Sequence, residues 1–239
     1  AAGGIRVTST GYIPRKGWVD NDVVYNNAYP LALPIFRAAE AYLNYIEAYY
    51  LRHGNLDDTC DKYWKALRRR AGVDTDYKKT IAATDLTKEI DLARYSGTQL
   101  VDATLYNIRR ERRSEFIAEG MRRADLYRWR ALDMMQNYWV EGMNYWDEFH
   151  TEFEDACAAC KQTYTAPNDT SVSKYLRPQA KNDYVIENNG YCFEEANYLS
   201  PISYDVFRMS TPEEGGDVST SVVYQNPGWP VEAGAYALQ

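Results

Sequence analysis

The chain has 239 residues, a formal net charge of −7 and 26% charged side chains. An acidic whole offers no basic face to a polyanion, which argues against nucleic acid as a partner. No run of about 18 apolar residues is present to form a membrane-spanning helix, while 45% apolar residues supply a sizeable core.

The chain carries 22 Tyr and 6 Trp, a surplus of flat apolar side chains with one polar tip that suits helix interfaces and wet binding surfaces alike. The opening AAGGIRVTST has no charged start followed by an apolar stretch. The chain therefore reads as the later part of a longer protein, and a repeat array cut midway would expose apolar faces.

Residues 1–36 form an extended lead-in, since GYIPRKGWVDNDVVYNNAYPLALPIF places three prolines among Asn, Asp and Gly. A helix follows, with Ala39, Leu43, Ile46 and Tyr50 on one face and Gly54 as its cap. A second helix repeats that spacing with Cys60, Trp64, Leu67 and Ala71 and ends at Gly72. Two helices joined by a short polar turn make an αα-hairpin, in the layout of one tetratricopeptide-type repeat. Residues 73–101 are a polar connector with a short helix predicted around DLTKEIDLARY. Asp102 caps a third long helix, with Leu105, Ile108 and Phe116 on one face, closed by Gly120. MRRADLYRWRALDMMQ makes a fourth helix, antiparallel to the third. The framework thus spans 37–135, followed by a loop-rich insertion over 136–200 and an extended, proline-rich tail over 201–239. The fold class is mainly α, with tetratricopeptide-like hairpins and long irregular loops.

Cys60, Cys157, Cys160 and Cys192 are the four cysteines. The CxxC pair lacks a second pair, and His53 and His150 are not spaced as ligands, so no metal site is predicted. No strand precedes it to make a redox motif either, which leaves free thiols or a surface disulfide. No nucleotide-binding glycine loop and no other cofactor motif is present.

The stretch IRRERRSEFIAEGMRRADLYRWR admits three readings. As a polyanion patch, its arginines are opposed by Glu111, Glu115, Glu119 and Asp125, so the face is largely self-neutralised. As a pair of catalytic acids, each carboxylate has an arginine within one helical turn, which lowers its pKa instead of preparing a general acid. The third reading is structural, and it is the one favoured. Arg112 falls between Ile108 and Phe116 on the apolar stripe, where its donors require buried acceptors. Asp125 is its expected partner, Glu115 belongs to the same ion-pair set, and Trp129 is placed to cover the pair.

Three separated stretches, AEAYLNYIEAYY, LRRRAGVD and IRRERRSEFIAEGMRRADLYRWRAL, resemble the RagB/SusD family in the order that family has them. The tail, with Pro201 and Ile202 ahead of Gln225–Gly228, is similar to the family's ending. Ile46 stands where alanine is common, and Ser203 replaces a frequent proline. The resemblance implies a lipid-anchored, surface-exposed outer-membrane protein that partners a SusC-like TonB-dependent transporter and binds oligosaccharide without turning it over. A helical scaffold for protein partners and a glycoside hydrolase are the rival functions.

Ligand candidates are aromatics that the helical stripes do not need, because a sugar uses an aromatic face for its C–H side and amides or carboxylates for its hydroxyls. They are Trp18 with Asp20 in the lead-in, and Tyr138, Trp139, Asn144, Tyr145 and Trp146 beyond the framework. The alternative is that the second group forms a satellite core under the long loop. Trp64 and Trp129 lie on core stripes, and Trp229 packs on the body.

Overall fold

The computed structural model describes residues 10–12, 16, 35–144, 151–152, 173–179, 182–187, 189–213, 216–232, 235 and 237. It divides into two compact units, Ala1–Ala131 and Leu132–Gln239. The described residues are mainly α, with a single two-stranded hairpin among them.

In the first unit, α1 (Ala38–His53) ends where Gly54 adopts a left-handed backbone and donates to the Tyr50 carbonyl. Asp57 then caps α2 (Asp58–Ala71) by accepting from the Cys60 N–H, and Gly72 closes it in the same left-handed way. The two helices pack as a hairpin. Ile46, Cys60, Trp64, Tyr77 and Ile108 form one core cluster, and Ala39, Leu43, Leu67 and Phe116 another. Trp64 stacks on Tyr77 with ring centroids 4.2 Å apart, and its Nε1 donates to Glu111. Burial in this cluster pushes the Cys60 thiol up to about 11, so it stays a protonated apolar side chain at neutral pH.

The connector differs from the sequence reading. Its helix is α3 (Tyr77–Ala82), capped by Asp76. DLTKEIDLARY instead holds a 3₁₀ turn, Leu92–Arg94, followed by the hairpin of β1 (Tyr95–Ser96) and β2 (Gln99–Leu100). Asp91 decides this, because its buried carboxylate accepts from the Ala93 N–H and pairs with Arg113 and Arg122. Burial alone would raise that carboxyl, but Arg122, the Ala93 N–H and Arg113 outweigh it and hold it below the usual range.

Asp102 caps α4 (Ala103–Glu115) through the Thr104 and Leu105 N–H groups. The helix stops at Phe116, short of Gly120, and Ala118 has a left-handed backbone. Gly120, with φ +77°, starts α5 (Met121–Arg128) instead of ending α4. The fourth helix is also shorter than its sequence pattern, since Arg130 turns left-handed at φ +52°. The main packing partner of α4 is α1, not α5.

Buried charge ties these helices together. Glu47 of α1 is 2% exposed and accepts from Arg128 Nη1 and Nη2 at 2.8 and 2.6 Å and from Trp129 Nε1 at 2.6 Å. Asp125 of α5 accepts from Arg112 Nε at 2.8 Å and from Arg128 Nε at 2.9 Å. Arg112 also donates to Asn44, and Phe116 supplies the ring beside its guanidinium. Trp129 lies against Arg109 and Arg128 instead. Arg109 donates to the Ala93 and Tyr95 carbonyls and to Ser96, which fixes the hairpin to α4. Burial lowers its guanidinium to about 10, still protonated at neutral pH. Glu115 does not pair with Arg112: it accepts from Arg37 and Arg70.

In the second unit, α6 (Asp183–Glu187) and α7 (Tyr204–Met209) accompany 3₁₀ turns at Leu132–Met135, Glu195–Tyr198 and Val218–Thr220. The tail is therefore not extended throughout, because Phe207 finds a buried site and draws 204–209 into a helical turn around it. Gln225 clamps Ile202 with two hydrogen bonds, giving to its carbonyl and accepting from its N–H. Asn226 donates to the Ser200 carbonyl, and Trp229 Nε1 to the Ala196 and Leu199 carbonyls. Gly228 has φ +78°, and a Cβ there would stand 2.7 Å from that of Ala196.

The two partners of the Arg112–Asp125 pair are not equivalent. Asp125→Ala takes the carboxylate from buried Arg112, leaving it Asn44, and one of two carboxylates from Arg128, and is expected to cost about 3–5 kcal/mol in urea unfolding. Arg112→Met leaves Asp125 with Arg128 and keeps apolar contact with Phe116, so its cost is smaller. The reverse order would show that the pair is not what holds this junction.

Candidate functional site

The segment 136–144 is pinned at both ends. Asn137 takes a left-handed backbone, φ 60°, and the Tyr138–Tyr191 bridge follows through Asn137 N–H to the Tyr191 carbonyl and Tyr191 N–H to the Tyr138 carbonyl. Gly190 permits this approach, since a Cβ there would lie 2.6 Å from the Asn137 carbonyl carbon. At the other end Asn144 pairs with Tyr175, beside hydrogen bonds from Gly142 to Leu176 and from Leu176 to Met143.

Trp139 is held between these anchors. The Arg177 guanidinium lies 4.6 Å from its ring centroid. Glu141 fixes that guanidinium, accepting from Nε at 2.9 Å with Nη2 at 2.8 Å. Ser173 donates its hydroxyl to the same carboxylate oxygen. Tyr138 and Tyr175, one in each of the two bridges, remain 38% and 44% exposed. The guanidinium, held by Glu141, is the cation of a cation–π contact with the half-buried indole. Accessible aromatic rings, a carboxylate, a guanidinium and hydroxyls are the groups a sugar ring uses.

Of the residues proposed from sequence, Tyr138, Trp139 and Asn144 lie on this segment. Trp18, Asp20, Tyr145 and Trp146 lie outside the described residues, as do Cys157 and Cys160. Cys60 and Cys192 are free thiols. Nothing in the sequence marks Glu141, Ser173, Tyr175 and Arg177, because their partners across the segment lie 31 to 36 residues away in a region without periodicity. Glu47 belongs to the AEAYLNYIEAYY stretch, and its place beside Ile46 on the α1 stripe is a core position with a charge on it.

The SusD family model, SusD_RagB, matches residues 4–229, through both units and up to Trp229 of the tail. The chain belongs to the SusD family. No curated protein and no solved structure matches it. As a SusD family member it is a nutrient-binding, outer-membrane accessory protein, from a family that binds and does not catalyse. The Gln225–Ile202 clamp shows what two of the SusD-type tail stretches do here: they close on each other.

Glu141→Gln removes the charge that holds Arg177 against the indole. The Trp139 Nε1–H resonance is expected to shift in NMR spectra while urea stability changes by less than about 1 kcal/mol, as for a partly exposed pair. An unmoved resonance would mean that Glu141 does not position Arg177.

Proposed function

We propose that this protein is the oligosaccharide-binding subunit of a TonB-dependent uptake complex. It works beside a SusC-like transporter at the cell surface, anchored by a lipid. The match to the SusD family over residues 4–229 carries the reading. Among the described residues no helix is long and apolar enough to cross a membrane, which suits a protein held by a lipid. The oligosaccharide lies against Tyr138, Trp139 and Tyr175, with Asn144 among the polar groups beside them. Arg177 covers one face of Trp139, and the sugar takes what the guanidinium leaves open.

The same acids that argue against a glycoside hydrolase favour this reading. Glu111, Glu115, Glu47 and Asp125 all accept from arginines, and Glu141 does so at the candidate site itself. Oxygens engaged in this way serve as hydrogen-bond acceptors within ion pairs.

Trp139→Ala is expected to weaken binding of the oligosaccharide that the unmodified protein takes by about tenfold, as one aromatic contact of about 1.4 kcal/mol would. Isothermal titration calorimetry over a panel of neutral and acidic oligosaccharides checks it. Unchanged affinity would remove this segment as the binding surface. Purification from outer membranes without a β-barrel transporter would contradict the uptake role.

A further inference from the structure

We draw no further inference here: the strongest candidate, the surface ladder of Tyr42, Tyr45, Tyr49 and His53 along α1 with Tyr63 of α2, packs ring against ring, and nothing among the described residues shows what covers it.

Discussion

Two buried carboxylates, Glu47 on α1 and Asp125 on α5, share one arginine. Arg128 gives Nη1 and Nη2 to the first and Nε to the second. A carboxylate taken out of water is costly unless cations and N–H donors replace its hydration. Here the replacements come from α4, from the end of α5 and from Trp129, so the helices hold fixed positions or the charges go unpaired. Arg112, Arg109 and Trp129 each complete a part of the network that no single helix can close alone. The stretch with the most charge in the sequence is thus the least free to meet a ligand.

That closure separates the residues that hold the helices from those proposed to bind. In the first unit the inner arginines are spent on carboxylates and carbonyls. Arg70, at the exposed end of α2, shares Glu115 with Arg37. In the second unit short turns and isolated bridges carry Tyr138, Trp139 and Tyr175, and such segments vary in sequence at less cost than packed helices.

The helical frame was legible because it obeys period and punctuation. Ala39, Leu43 and Ile46, then Cys60, Trp64 and Leu67, repeat on one face, and Gly54, Gly72 and Asp102 mark ends or starts by conformation and capping. What failed was decided by tertiary contacts. Asp91 looks like any helix-capping acid until Arg113 and Arg122 reach it from α4 and α5. Gly120 resembles a stop, yet Ala118 had already turned the chain. The candidate site was half legible: unused aromatics pointed to Tyr138 and Trp139, but Arg177 and Glu141 meet only through folding. Phe207 likewise makes a helical turn in a tail whose prolines suggest extension.

The most direct test of the shared-arginine frame is a double-mutant cycle of Glu47→Gln and Asp125→Asn in urea unfolding. If Arg128 couples the two acids, the double variant departs from the sum of the singles by about 1 kcal/mol or more. Additivity within about 0.5 kcal/mol would contradict the frame as one connected network.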